Sequence, residues 1–138
     1  MTRPVLAVVA VVALLAGCAA RPDAAAADAA VHDFYAAVAD EDGDAACALL
    51  APSALENLES DSDEPCAEAV LDGDVGATLT ARVPDGPATS VHVAGRAAQV
   101  VLPDDVVFLT VDGDAWRLTA VGCDARPERP YDCVIEGG

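Results

Sequence analysis

Residues 97–120, AAQVVLPDDVVFLTVDGDAWRLTA, decide the fold of this chain, because apolar and polar residues alternate in three short runs. Such alternation is typical of antiparallel strands that bury one face. The runs are separated by turn signals at Pro103-Asp104-Asp105 and at Asp112-Gly113, and Asp-Gly favours a tight hairpin. The residues expected on the buried face are Ala98, Val100, Leu102, Val107, Leu109, Val111, Trp116, Leu118 and Ala120.

One further strand is expected before this stretch, since Val91 and Val93 flank His92 and a turn is expected at Gly95. The four runs together predict an antiparallel meander. Residues 74–88 are ambiguous, because residues 78–83 suit either a first strand or a loop.

The part of the chain before residue 74 is predicted to be helical. Apolar residues at i, i+3, i+4 and i+7 predict an amphipathic helix that starts at Asp28. These residues are Val31, Phe34, Tyr35 and Val38. We expect the helix to end before the acidic turn at residues 40–44, with Gly43 in the left-handed conformation.

Three shorter helices are predicted next. The first covers residues 45–51, capped by Asp44 and stopped by Pro52. The second starts at Ser53, and the third starts near Pro65, after an acidic loop at residues 59–64. Helices first and an antiparallel sheet afterwards predict the α+β class, with short helices packed on one sheet face.

The N-terminal residues are typical of a lipoprotein precursor. Arg3 is followed by an unbroken apolar run at residues 5–15, which is too short to span a bilayer but suits a signal peptide. Leu15-Ala16-Gly17-Cys18 resembles the lipobox of bacterial lipoproteins, so we expect residues 1–17 to be removed and the Cys18 thiol to be acylated. An ordinary secretory signal with an incidental cysteine is the alternative.

Removal of the leader leaves 121 residues, enough for a single domain. We assign residues 18–27 to a lipidated tether and residues 28–138 to the domain. These 121 residues carry 24 acids against 6 arginines, a formal charge of −18. Such a charge disfavours nucleic acid and anionic lipid as partners. We therefore expect a monomer held at the extracytoplasmic face of the cell membrane by its lipid.

Four cysteines remain besides Cys18: Cys47, Cys66, Cys123 and Cys133. An even number in an exported chain predicts disulfides, with three possible pairings. Clustering along the chain favours Cys47–Cys66 and Cys123–Cys133. A zinc site is the alternative, but these spacings are unlike the close cysteine pairs that structural zinc uses. No metal and no cofactor is predicted.

Several short motifs resemble the small NTF2-like lipoproteins of high-GC Gram-positive bacteria. They are the Phe-Tyr pair of the first helix, Gly43-Asp44 with Cys47 and Leu49-Leu50-Ala51-Pro52, the later helical Cys66, Asp112-Gly113 with Trp116-Arg117, and Gly122-Cys123 with Arg129-Pro130-Tyr131-Asp132-Cys133. The resemblance implies helices packed as a cone over a curved sheet, often around a pocket. It implies no particular activity.

NTF2-like enzymes such as ketosteroid isomerases place Tyr, Asp or His in that cone, and Asp33 and Tyr35 are the nearest candidates here. Tyr35, however, lies on the apolar stripe, where packing is the usual role. His32 follows Asp28 by one turn, as an exposed pair would. His92 is expected to face solvent. No acid stands at an obviously buried strand position, so no catalytic residue is predicted.

The acidic turn at residues 40–44 superficially resembles a calcium loop. Asp40, Asp42 and Asp44 match the first three ligand positions of an EF-hand, but Ala45 replaces the required glycine and Ala51 the bidentate glutamate. Residues 59–64 fail in the same way. Solvated acidic turns are the interpretation that this pattern favours.

The C-terminal residues 123–133 form the most distinctive segment. Arg126, Arg129 and Tyr131 are candidate contacts for a protein partner, because Arg and Tyr are enriched at binding hot spots. The alternative is a structural staple in which both arginines pair with local acids.

The sequence thus predicts a non-catalytic binding or scaffolding module with an envelope protein as partner. A carrier for a small apolar ligand and a ketosteroid-isomerase-like enzyme are the two alternatives.

Overall fold

The computed structural model describes residues 23–138, apart from the side chain of Arg129. The helices of this part are α1 (Ala24–Ala39), α2 (Gly43–Leu49), α3 (Pro52–Ser62), α4 (Cys66–Ala69) and α5 (Gly73–Ala81). The strands are β1 (Ser90–Ala94), β2 (Ala97–Val101), β3 (Val106–Asp112), β4 (Ala115–Arg126) and β5 (Arg129–Glu136). The α+β class is as predicted. The signal peptide and the lipidated Cys18 lie outside the described residues.

The strands form one antiparallel sheet in the order β1-β2-β3-β4-β5, so each strand pairs with the next in the chain. At the centre, Gln99 lies opposite Phe108 and Leu109 opposite Leu118. In β2 and β3, fully buried residues alternate with partly exposed ones, as the sequence pattern predicted. The predicted meander is therefore confirmed, with one more strand than expected.

The helices cover the buried face of the sheet. The stripe of α1 contributes Val31, Phe34, Tyr35 and Val38 to the core. These residues pack with the inward side chains of the strands, among them Val100, Val107, Leu109, Leu118 and Ile135. Removal of this apolar surface from water is the main stabilising force for a chain of this size.

Helix α1 starts four residues earlier than predicted. The Asp23 carboxylate accepts a hydrogen bond from the Ala26 backbone N–H at 2.8 Å and caps the helix. The alanines that follow favour helix, and Ala27 is fully buried. Residues 24–27, assigned to the tether from sequence, are thus the first turn of α1.

The turn between α1 and α2 differs from the prediction. The left-handed residue is Glu41, with φ 56°, not Gly43, and Asp42 rather than Asp44 caps α2 through the Ala45 backbone N–H. Gly43 is the first residue of α2 and lies against α4. A Cβ at this position would come within 2.0 Å of the Ala67 carbonyl oxygen, so close backbone approach explains the glycine.

Two predictions on helix extent were wrong. Helix α3 begins at Pro52 and continues through most of the predicted acidic loop to Ser62, ending at a left-handed Asp63. Residues 73–81 form α5 rather than a strand or a loop, and Leu79 is its fully buried anchor. In α5, tertiary packing of Leu79 outweighed a weak local pattern. The last turn of α3 is supported by polar contacts instead: Ser62 Oγ donates to the Leu58 carbonyl oxygen at 2.7 Å, and Glu59 Oε1 accepts from the Cys66 backbone N–H at 2.9 Å.

The two sheet edges also depart from the prediction. Val93, expected on the buried face, is 41% exposed, because β1 is an edge strand that the helices cover only in part. Residues 129–136, for which no strand was predicted, form β5 and pair with the end of β4. The C-terminal segment is therefore a β-hairpin that the Cys123–Cys133 disulfide closes.

Two disulfides are present, Cys47–Cys66 and Cys123–Cys133, the pairs that clustering favoured. The first joins α2 to the start of α4, and the second joins directly opposite residues of β4 and β5. Within residues 23–138, no helix is long and apolar enough to cross a membrane.

Candidate functional site

Asp105, in the turn between β2 and β3, is the only charged side chain buried in the described part of the chain, with 4% of its surface exposed. A buried carboxylate is costly unless its oxygens are hydrogen-bonded. Its surroundings therefore determine whether this region acts chemically or structurally.

Four donors surround the Asp105 carboxylate. Its Oδ2 accepts hydrogen bonds from the Tyr35 hydroxyl and from the Gly122 backbone N–H, the latter at 3.2 Å. Its Oδ1 accepts from the Cys123 backbone N–H at 2.6 Å and from Arg82 Nη1 at 3.5 Å. Gly122 has φ 69°, a conformation that favours glycine, and the strand register shifts in this part of β4. This irregular backbone directs two successive N–H groups at one carboxylate.

Arg82 connects this carboxylate to the surface. It lies at the C-terminal end of α5, where its Nη2 donates to Asp124 Oδ2 at 2.8 Å. Asp124 is largely exposed, whereas the guanidinium is mostly covered. The four side chains Tyr35, Asp105, Arg82 and Asp124 form one chain of hydrogen bonds, which we call the Asp105 network.

Burial dominates the electrostatics of this network. It raises the pKa of Tyr35 far above its usual value, and the neighbouring Asp105 charge raises it further. Burial also raises the pKa of Asp105, although the hydrogen bonds from Tyr35, Cys123 and Gly122 and the charge of Arg82 oppose that rise. For Arg82, burial acts to lower the pKa, but the hydrogen bond and charge of Asp124 and the charge of Asp105 outweigh it and raise the pKa.

The geometry suits a structural clamp better than a reaction centre. Tyr35 forms part of a cleft of about 370 Å³ with His32, Asp33, Val83 and Pro84. Its side chain is nevertheless 0% exposed, and its hydroxyl donates to Asp105 instead of facing the cleft. A general acid or base must reach the proton that it transfers, and neither group of this pair is accessible.

His32 pairs with Asp28 as the sequence predicted, with its Nε2 3.5 Å from Asp28 Oδ1, but the pair is half-buried rather than exposed. His92 is exposed on β1, as predicted. Asp33 is also exposed on α1. The structure brings Tyr35 alone of these candidates into the Asp105 network.

Of the C-terminal candidates, Arg126 forms a local ion pair, whereas Tyr131 lies on the uncovered face of the sheet. Arg126 Nη2 pairs with Asp132 Oδ1 at 3.3 Å across the β4–β5 hairpin, as the staple alternative proposed. Tyr131 packs edge-on against Phe108 with ring centroids 5.0 Å apart, and its hydroxyl lies 3.4 Å from Gln99 Nε2. Arg129 lies at the start of β5.

Tyr131 and Phe108 belong to the sheet face that the helices leave uncovered. We define this outer face by the partly exposed positions that alternate with the core in β2, β3 and β4: Gln99, Val101, Val106, Phe108, Thr110, Ala115, Arg117 and Thr119. None of these eight residues is acidic, in a chain with 24 acids. The acids near this face stand at strand ends: Asp112 is the next position in the β3 alternation, and Glu136 at the end of β5 lines the groove beside the rings. A shallow groove of about 290 Å³ runs beside the two aromatic rings. Depletion of charge together with aromatic side chains is typical of protein interfaces.

Within residues 23–138, no three His, Cys, Asp or Glu side chains are arranged to hold a metal ion. Of the acids in the calcium-like turn, Asp42 caps α2.

Sequence reasoning placed Asp105 in a turn, which is correct, but missed its burial. A signal was present. In β3 every second side chain, Val107, Leu109 and Val111, faces the core, and residue 105 is the preceding position of the same alternation. Nothing in the sequence indicated the donors, since Tyr35, Arg82 and Gly122 are distant from it along the chain.

No family model, no curated protein and no solved structure matches this chain.

The substitution Asp105→Asn tests the clamp. Either orientation of the amide directs its N–H₂ group at a backbone N–H, of Gly122 or of Cys123, so at least one buried donor loses its acceptor, and Arg82 loses its buried counter-charge. We expect a loss of about 3–5 kcal/mol in the free energy of unfolding, measured by urea denaturation. Asp104→Asn is the matched control, because this neighbour is exposed, and it should change stability by less than about 0.5 kcal/mol. Equal effects of the two substitutions would contradict the clamp.

The raised pKa of Tyr35 predicts alkaline behaviour. In the unfolded chain the Tyr35 phenol loses its proton at about pH 10, whereas in the folded protein it keeps the proton to higher pH. The stability due to this group is therefore complete below about pH 10 and declines as pH rises further. Tyr131→Phe leaves Tyr35 as the one tyrosine of the chain. Phenolate absorbance should then appear together with unfolding; phenolate in the folded protein below pH 10 would refute this assignment.

Proposed function

We propose that this chain is an exported lipoprotein, acylated at Cys18, whose domain is an NTF2-like, non-catalytic binding module at the extracytoplasmic face of the cell membrane. Its partner is an envelope protein that presents an uncharged, apolar surface. The observation that carries this proposal is the acid-poor outer face around Phe108 and Tyr131, where Asp112 and Glu136 stand only at strand ends, on a chain with a net charge of −17.

Export is supported by the two disulfides, because such bonds persist in oxidising compartments. Anchoring is supported by the Leu15-Ala16-Gly17-Cys18 sequence after an apolar run. Two acyl chains hold a protein at a membrane where one alone gives only marginal binding.

Binding without catalysis is supported by the Asp105 network, in which every ionisable group that is buried already has partners within the protein. Core side chains such as Leu109 and Leu118 occupy the space between the helices and the sheet. This arrangement favours contact through the outer face over storage of an apolar ligand inside the domain.

The anchor is tested by Cys18→Ala. Without the thiol there is no site for the diacylglyceryl group, so we expect loss of labelling by a radioactive fatty acid. The protein should also move from the membrane fraction to the soluble fraction. Ala20→Ser, two residues away, should retain both properties. Continued membrane retention of Cys18→Ala would show that the anchor lies elsewhere.

The outer face is tested by photo-cross-linking in intact cells. A photoreactive phenylalanine at position 108 or 131 should give the same discrete adduct, to be identified by mass spectrometry. The same group at Glu56, which is exposed on α3, is the control and should not give it. An adduct to a second copy of this chain, or adducts independent of position, would refute an envelope protein as the partner of this face.

A further inference from the structure

We propose that two copies of this chain pair through the free edge of β1, antiparallel and about a two-fold axis at His92. This pairing joins the two five-stranded sheets edge to edge. It leaves the outer face around Phe108 and Tyr131 free for the protein partner. The inference rests on the described strands and not on acylation of Cys18, and it departs from the monomer that the net charge predicted.

β1 is an edge strand with an unused hydrogen-bonding side. In an antiparallel sheet, every second residue of an edge strand directs its N–H and C=O away from the neighbouring strand. Within residues 23–138, no loop and no side chain adds a hydrogen bond to residues 90–94 beyond those of the sheet. His92, Val93 and Ala94 are also exposed. The partner that such a row of backbone groups fits is another extended strand.

The opposite edge strand, β5, is protected against such pairing. Pro130 has no N–H to donate, and Asp132 places a charge on the strand. On α3, Asn57 Nδ2 donates to the Glu136 carbonyl oxygen at 2.9 Å and so occupies a backbone acceptor of β5. β1 contains no proline, lysine or acid, and its register with β2 is regular. Because sheet proteins usually block edges that must not pair, an unblocked β1 indicates an edge that pairs.

Charge allows the partner at this edge to be a second copy. Two bodies with a net charge of −17 repel each other wherever their acids come close. Residues 86–103, which include β1 and β2, contain no acid, and this is the longest acid-free run after Asp23. Two copies can therefore meet along β1 without bringing acidic strand residues together.

The sequence of β1 is self-complementary in this register. With His92 opposite His92 of the second copy, Ser90 lies opposite Ala94 and Val91 opposite Val93, so all five residues pair. Any shift of the axis leaves residues at the strand ends unpaired. Directly opposite residues lie on the same face of an antiparallel sheet, so the valines of both copies meet on one face.

That face is the one that the helices cover. In β2, Val100 lies opposite Val91 and Ala98 opposite Val93, and both of these β2 residues are buried. Val93 is nevertheless 41% exposed, and it is the only large hydrophobic side chain so exposed within residues 23–138. Pairing of two copies covers Val93 with Val91 of the second copy, and such pairs of β-branched residues stabilise antiparallel sheets.

Cysteine cross-linking tests the register. The four cysteines of the described residues are all in disulfides, so in a Cys18→Ala background an introduced cysteine is the only free thiol. A mixture of Ser90→Cys and Ala94→Cys proteins should give several times more disulfide-linked dimer than either protein alone. The reason is that residue 90 lies opposite residue 94, whereas the two copies of residue 90 are offset by about 14 Å along the strands. Equal yields from the mixture and from the single variants, or no cross-link, would overturn the proposal.

Sedimentation equilibrium of the Cys18→Ala protein tests the association itself. The mean mass should rise with protein concentration, and further as salt is increased from about 50 mM to about 500 mM, because salt screens the repulsion between acidic copies. Val93→Asp places a charge opposite Val91 of the second copy and should weaken association by about tenfold or more. Ala39→Asp makes the same change of charge at an exposed position of α1 and should leave association unchanged. A monomer under all these conditions, or equal effects of the two substitutions, would refute pairing through β1.

Discussion

The rest of the structure depends on the burial of one carboxylate. Asp105 draws hydrogen bonds from α1 through Tyr35, from α5 through Arg82 and from β4 through two backbone N–H groups. Elements distant in sequence are thus held at one point. Because an unpaired buried charge costs several kcal/mol, any placement of α1 or α5 that withdraws Tyr35 or Arg82 from Asp105 is disfavoured. The network thus adds a directional constraint to the non-directional apolar contacts between helices and sheet.

The disulfides act on the same framework from two sides. Cys47–Cys66 joins two short helices that bury few residues on their own. Cys123–Cys133 fixes β5 to β4 at Cys123, whose own backbone N–H donates to Asp105. A covalent link reduces the entropy of the unfolded chain, so it stabilises segments with little core of their own.

Charge divides the surface into two kinds of region. Acids cluster at helix ends, turns and strand ends, where Asp23 and Asp42 cap helices, whereas the middle of the outer face around Phe108 carries none. Mutual repulsion keeps most of this surface solvated and separate from other acidic molecules. The outer face is then the region where an approaching partner meets the least electrostatic repulsion.

How far the sequence predicts this structure depends on whether the deciding interactions are local or distant along the chain. Alternation in residues 97–120 determined the meander, and the stripe of α1 determined the main helix, because both patterns are local and periodic. Helix boundaries were less predictable: Glu41 rather than Gly43 is left-handed, and α5 has only a weak apolar pattern. Contacts with distant residues decided these positions.

By itself, the sequence determined the α+β class and the face of each central strand that is buried, and its clustered cysteines pointed to the two disulfides. Only the tertiary structure decided that Asp105 is buried, that Tyr35 is its donor and that residues 129–136 are a strand. The physical reason is that burial and hydrogen bonding are properties of pairs of residues. When the partners are 17 to 70 positions apart, as in the Asp105 network, no local pattern records them.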